Sequence, residues 1–262
     1  MKIWIIAKIG FRECLRYRLV YFIFIMALLF ILMGKGCNPG TIKGNDLFFD
    51  KDTRQNMAME IAFHGIVFWS IMLCGLVSAS LLSRELDEGT AVMTLGRPLS
   101  RSSYILGKLL SIIMITVLNL FLLGSIFFLL FYFEFGYINF RIFASFALMI
   151  SNLLMFALMG LLLSLFVPRI ITPLICIFIY LGSIWSALPY NFEKLSIIWE
   201  PSETVRTLHD FLPRFGDVQF ISASLITSVP ALEELTLPLC SGVLYCLAFW
   251  FLLVFTFKRK QI

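Results

Sequence analysis

Residues 109–133 read LLSIIMITVLNLFLLGSIFFLLFYF, a run without Asp, Glu, Lys, Arg or His. Its strongest polar group is the amide of Asn119, and it contains no proline. Hydrocarbon offers the peptide group no partner, so a chain crossing it must close its own hydrogen bonds. About 20 apolar residues do this as one helix across about 30 Å. Similar runs occupy residues 19–33, 61–82, 142–167, 170–188 and 237–257. The first is short but extends back through an amphipathic stretch, and Pro168 and Arg169 leave only a tight hairpin between the fourth and fifth. Six spans put both termini on one side. The expected fold is therefore an all-α integral membrane protein with six transmembrane helices in a single domain over residues 1–262.

The composition agrees. The chain is 60% hydrophobic and 14% charged, where soluble chains run about 45–50% apolar and about 25% charged, and its mean hydropathy is +0.93. These values exclude a disordered chain and a disulfide-stapled secreted domain. They also exclude a nucleic-acid partner despite the net charge of +5, because the basic residues flank apolar runs.

Orientation follows from those flanks. With the N-terminus in the cytoplasm, the inner pieces hold thirteen of the 21 basic residues and four of the 16 acidic ones. They include Lys2, Lys8, Arg12, Arg16, Arg18, Arg84, Arg97, Arg101, Lys108, Arg169, Lys258, Arg259 and Lys260. Both termini are accordingly expected inside a cytoplasmic (inner) membrane. No cleavable signal peptide is expected, because residues 1–18 carry charge throughout and lack a small-residue cleavage site. At about 100° per residue, Ile3, Trp4, Ile6, Ala7, Phe11, Cys14, Leu15 and Tyr17 share one face, with Lys2, Lys8, Arg12 and Arg16 opposite and Ile5 and Ile9 out of pattern. This reads as an interfacial helix on anionic membrane lipid, or as a basic flank that sets topology.

On the outer side, residues 34–60 start polar and turn-rich. Residues 189–236 form the longer segment, expected as one or two short helices on or dipping into the membrane surface. Pro201-Ser202-Glu203 is a helix start, Pro213 ends that helix, and Trp185, Tyr190, Phe192 and Trp199 suit an interfacial belt.

Several chemistries lack their residues. No phosphate-binding Gly-x-x-x-x-Gly-Lys-Ser/Thr occurs. His64 and His209 are the only histidines, without His-Glu-x-x-His, and His64, at the start of the second span, reads as a satisfied interfacial residue rather than a ligand. Cys14, Cys37, Cys74, Cys176, Cys240 and Cys246 show no ligand spacing, and the last four read as small packing residues. No catalytic residue, cofactor site or metal site is expected. The spans also lack the midplane charges that ion-coupled carriers use. Asn119, Asn152, Thr116, Thr172 and the serines are expected to bond between helices. The small residues Gly75, Ser78, Ala79 and Ser80 could pack against a second copy or within one chain.

Residues 83–108, SRELDEGTAVMTLGRPLSRSSYILGK, stand apart. A helix should run out of the second span, and a short helix should form around residues 90–95 before a break at residues 96–98. Ser100, Ser102 or Ser103 should cap the helix of the third span. Val92, Met93 and Leu95 form an apolar ridge ringed by charge, suited to a groove on another protein or to the lipid surface.

The order Arg84-Glu85-x-x-Glu88-Gly89-Thr90, Leu95-x-x-Pro98-x-Ser100-Arg101, Gly107-Lys108 resembles the signature of ABC-2-type transporter permeases. It is most similar to the branch with the permease of the nitrous-oxide-reductase maturation system and the gliding-motility permeases. That resemblance implies a non-catalytic transmembrane subunit, paired with a second permease copy and bound on its cytoplasmic face to an ATP-binding cassette ATPase that holds ATP and Mg. It makes the segment between spans two and three the coupling helix. Arg84, Glu85, Glu88, Arg97 and Arg101 would be its charged part, Thr90, Val92, Met93 and Leu95 its buried ridge, and Gly89 and Pro98 its bends. The role implied is export or extraction of an apolar or lipid-linked substrate, or mechanical action on an extracytoplasmic binding protein. The competing reading is a secondary carrier or channel that needs no ATPase, and a third is a membrane scaffold without transport.

Overall fold

The apolar runs fold as helices. The computed structural model describes residues 2–36, 51–87, 100–135, 140–168, 170–192, 202–227 and 232–259, and these contain nine α-helices. They are α1 (Lys2–Arg16), α2 (Arg18–Gly36), α3 (Lys51–Asp87), α4 (Arg101–Phe135), α5 (Arg141–Leu163), α6 (Ile171–Phe192), α7 (Glu203–Phe211), α8 (Phe215–Thr227) and α9 (Leu232–Arg259). Five are long and apolar enough to cross a membrane, over Met59–Glu85, Arg101–Leu130, Arg141–Leu163, Ile171–Tyr190 and Thr236–Phe257. The first of the six expected runs lies on α2, whose apolar part Val20–Leu29 is shorter than a span.

The central post is α3. It packs on α2, α4, α5, α6 and α8, and its middle buries residues on every side, from Phe63 and Ile66 through Leu73 and Cys74 to Leu81 and Leu82. Close approach depends on small residues. A Cβ on Gly160 would fall 2.0 Å from Ser78 Oγ, and one on Gly75 would fall 3.1 Å from the Phe156 ring. Gly75, Ser78 and Ala79 are thus packed within the chain, and Ser80 is half-buried. By contrast α9 is peripheral, with Leu237, Val243, Leu244, Leu247, Phe251, Leu252 and Phe255 facing outward. Cys240 is exposed on that helix and does not serve as a packing residue; Cys74 and Cys176 do.

Only part of α1 follows the expected amphipathic pattern. Its most extensive contact is with α4, and Ile6, Ala7, Gly10 and Cys14 are buried there. Trp4, expected on the apolar face, is exposed, while Ile5 and Ile9 are exposed beside Lys8, Arg12 and Arg16 as their place out of the pattern implies. The apolar face divides because α1 approaches α4 most closely where a glycine of one helix meets a side chain of the other. Gly107 faces Ile6, and a Cβ there would meet Ile6 Cγ2 at 2.6 Å; a Cβ on Gly10 would meet Ser111 Oγ at 2.4 Å. The Ser111 hydroxyl lies 3.0 Å from the Ala7 carbonyl and 2.9 Å from its own Gly107 carbonyl. Burial pushes the Cys14 thiol up to about 12, against a smaller opposing pull from Lys108.

Gly107→Val should therefore lift α1 from α4, at a cost of about 1–3 kcal/mol for overpacking. The expected outcome is a lower melting temperature in detergent together with alkylation of Cys14, which stays unreacted in the native chain at pH 8.

Candidate functional site

The sequence places its most informative segment between α3 and α4. Of the residues expected to act there, the structure describes Arg84 and Glu85, on the last turn of α3, and Arg101, on the first turn of α4. Glu88, Gly89, Thr90, Val92, Met93, Leu95, Arg97 and Pro98 lie outside the described residues, as does the expected short helix. Both flanks agree with expectation. The helix of the second span continues to Asp87, and Ser100 caps α4, its Oγ accepting from the Ser103 backbone N–H at 3.3 Å.

The two flanks are tied by a buried ionic cluster. Lys108, two turns into α4, is 3% exposed, and its ammonium donates to Glu85. The Tyr104 hydroxyl donates to the same carboxylate. Glu13 of α1 stands 3.9 Å from Lys108 Nζ, and the side chains of Lys108, Glu85 and Glu13 are 4%, 16% and 31% exposed. A second set of contacts surrounds this one. Arg84 Nη1 donates to the Tyr17 hydroxyl at 3.2 Å, with the guanidinium 5.9 Å from the ring centre. Arg101 Nη1 donates to the Phe257 carbonyl at 3.4 Å, and Tyr104 stacks on Phe257 with centroids 5.8 Å apart. The ends of α1, α3, α4 and α9 thus converge on the two helix ends that flank residues 88–99 in sequence.

Residue-type reasoning missed this cluster. The family resemblance made Glu85 a charged contact with a partner, and the charge pattern counted Lys108 among the inner basic residues. The available signal was the pair Tyr104 and Lys108, four residues apart and hence on one helix face, opposite a carboxylate at the matching end of α3.

A different kind of contact forms at the other end of α3. Residues 64 and 85 are about 30 Å apart on a straight helix at about 1.5 Å per residue. There α8 docks between α3, α5 and α6. The Tyr180 hydroxyl donates to Gln219 Oε1, which directs the Gln219 amide nitrogen to His64 Nδ1 at 2.9 Å, so the His64 proton sits on Nε2. Asn152 Nδ2 donates to the Phe215 carbonyl at 3.2 Å. Ser183 donates to the Pro213 carbonyl at 2.7 Å and accepts from Gly216 N–H at 3.1 Å. Gly216 is required: a Cβ there would lie 2.6 Å from the Ser183 carbonyl oxygen. His209 of α7 pairs with Asp217 of α8 at 3.4 Å and stacks on Tyr190. Burial holds the Asp217 carboxyl above the usual carboxylate range, with His209 and Arg214 pulling it back.

The expected helix after Ser202 is α7, which ends at Phe211 before Pro213. The following helix, α8, is held inside the bundle by these bonds. Asn119 bonds Ser70 across helices as expected, whereas Thr116 and Thr172 bond backbone carbonyls close by in sequence. Among the described residues, no group of three or more His, Cys, Asp or Glu could hold a metal ion.

Two stability measurements test these clusters. Glu85→Ala leaves the buried Lys108 ammonium with Glu13 and the face of Tyr104 and should cost about 3 kcal/mol, the low end for a broken buried pair. Lys108→Met should cost clearly less, since Glu85 lies nearer the surface and keeps Tyr104. Melting temperatures of the two variants in detergent give the comparison. At the other end, Gln219→Leu removes two of the bonds that hold α8 and should cost about 2 kcal/mol, read as faster proteolysis within residues 202–227.

With this geometry in place, comparison with known proteins gives a family-level match. The family described as ABC-2 family transporter protein matches residues 11–187, about two thirds of the chain, from within α1 to near the end of α6. No curated protein matches.

Proposed function

This chain belongs to the ABC-2 family of transporter proteins, and on that premise we propose that it is the permease subunit of an ABC transporter, driven by a separate ATPase. It is a multi-pass membrane protein. The reading places α2 as a sixth span, both termini in the cytoplasm and the chain in the inner membrane, beside a second permease copy. Residues 83–108 are then the coupling segment. Glu88, Arg97 and Arg101 meet the ATPase with Arg84 and the outer edge of Glu85, the ridge of Thr90, Val92, Met93 and Leu95 fills its groove, and Gly89 and Pro98 set the bends. ATP and Mg bind to the partner.

The observation that carries this reading is the convergence of four helix ends on the two flanks of residues 88–99. A segment that only connected two spans would have no need of a buried ion pair at its base. Force applied there enters helices that are already joined, as a rigid-body movement of packed elements requires. The substrate class follows from the spans: without midplane charges they suit an apolar or lipid-linked molecule, or a purely mechanical action on an extracytoplasmic partner docked near residues 189–236. The same lack of charge disfavours an ion-coupled carrier.

Purification through a tag on this chain, with mild solubilisation, should bring down an ATP-binding cassette subunit identifiable by mass spectrometry. Changing Glu88→Lys and Arg101→Glu together should reduce ATP-driven turnover at least tenfold. Undiminished ATPase stimulation in that double variant, or transport by the chain alone in vesicles, would overturn the proposal.

A further inference from the structure

We infer that Lys108 is a positioning residue: through Glu85 and Tyr104 it braces the ends of α3 and α4, so that movement of residues 88–99 passes undivided to α1 and α9. This rests on the coupling role proposed above.

The segment is joined by its backbone to α3 at residue 87 and to α4 at residue 100. A pull on it could therefore be absorbed locally by the two helix ends moving apart. Apolar contacts resist such a movement weakly, because dispersion is non-directional and packed apolar surfaces can slide. A charge-assisted bond is directional and short-ranged, and inside a low-dielectric wall its loss is costly. The brace is the Lys108 ammonium and the Tyr104 hydroxyl, both on α4 and both on the Glu85 carboxylate of α3. Lys108 is too deeply buried to touch a partner protein, and a buried ion pair adds little net stability over an apolar pair of equal size. Fixing the spacing of the two ends accounts for a charge at this depth.

The two other helices are carried on the brace. Gly10, Gly107 and Ser111 seat α1 against α4 with almost no spare volume. Tyr104 and Arg101 hold the end of α9 through the ring and carbonyl of Phe257. A displacement of residues 88–99 thus moves α1, α3, α4 and the end of α9 together.

The test is amide hydrogen exchange on the complete complex, co-purified through a tag on this chain, nucleotide-free and trapped with ADP and vanadate. In the native complex, peptides from residues 2–16 and 250–259 should change exchange severalfold on trapping, and residues 81–87 should stay protected. In Lys108→Met the ATPase should remain bound and peptides from residues 88–99 should still respond. The response at residues 2–16 should fall to less than a third, and new exchange should appear at residues 81–87. An unchanged response at residues 2–16, with residues 81–87 still protected, would overturn the inference while leaving the coupling role intact. Failure of any ATPase to co-purify, or silence of residues 88–99 on trapping, would instead remove the coupling role and the inference with it. If Lys108→Met does not assemble, Tyr104→Phe keeps the ring on Phe257, removes one donor from Glu85 and should halve the response; a full response would count against the brace.

Discussion

A charge at the edge of a hydrocarbon layer must reach water or find an opposite charge, and Lys108 has found Glu85. Much of the arrangement at that end of the bundle follows from this single requirement. For the ammonium to be paired, the last turn of α3 must lie against the second turn of α4, which fixes the separation of the two points between which residues 88–99 run. For Tyr104 to share the carboxylate, its ring must turn toward α9, where Phe257 covers it. Glu13 then brings α1 to the same place, and the glycines of α1 and α4 allow the helices to close on each other.

At the opposite end of α3 the bonds to α3, α5 and α6 are made by neutral groups, with the His209–Asp217 pair joining α7 to α8. His64, Gln219, Tyr180, Asn152 and Ser183 hold α8 through uncharged hydrogen bonds. Between the two ends α3 offers mainly apolar and small side chains, with Gly75 and Ser78 allowing close contact with α5. The architecture is a shaft with an ionic fixture at one end and a neutral polar fixture at the other. Rigid-body movement of such a shaft can connect events about 30 Å apart without unfolding either end, because packed interfaces move between arrangements more readily than they deform.

The family match extends from α1 to near the end of α6 and so covers the ionic fixture and the central shaft, while α7, α8 and α9 lie beyond it. Of the contacts described, the pairing of Lys108 with Glu85 lies inside the matched region, and the bond between Gln219 and His64 joins that region to the part beyond it.

The helices themselves were legible in the sequence, because the length and purity of an apolar run are local properties and hydrocarbon allows a lone chain segment few other conformations. The runs at 61–82, 109–133 and 237–257 fall within helices, those at 142–167 and 170–188 lie on helices that end at Leu163 and begin at Ile171, and Ser100 and Ser202 sit at the helix starts expected of them. Pattern alone could not divide the apolar face of α1 into the part that packs and the part left exposed: Trp4 and Ile6 share that face, yet only Ile6 is buried. Nor could it choose between water and Lys108 for Glu85, or recognise α8 as a helix held within the bundle. Those outcomes depend on which groups, distant in sequence, the packing of helices brings within about 3 Å. The periodic part of the fold was set by composition along the chain; the partner of each polar group was set by the tertiary structure, because a hydrogen bond or ion pair has a short range and a direction that sequence spacing does not encode.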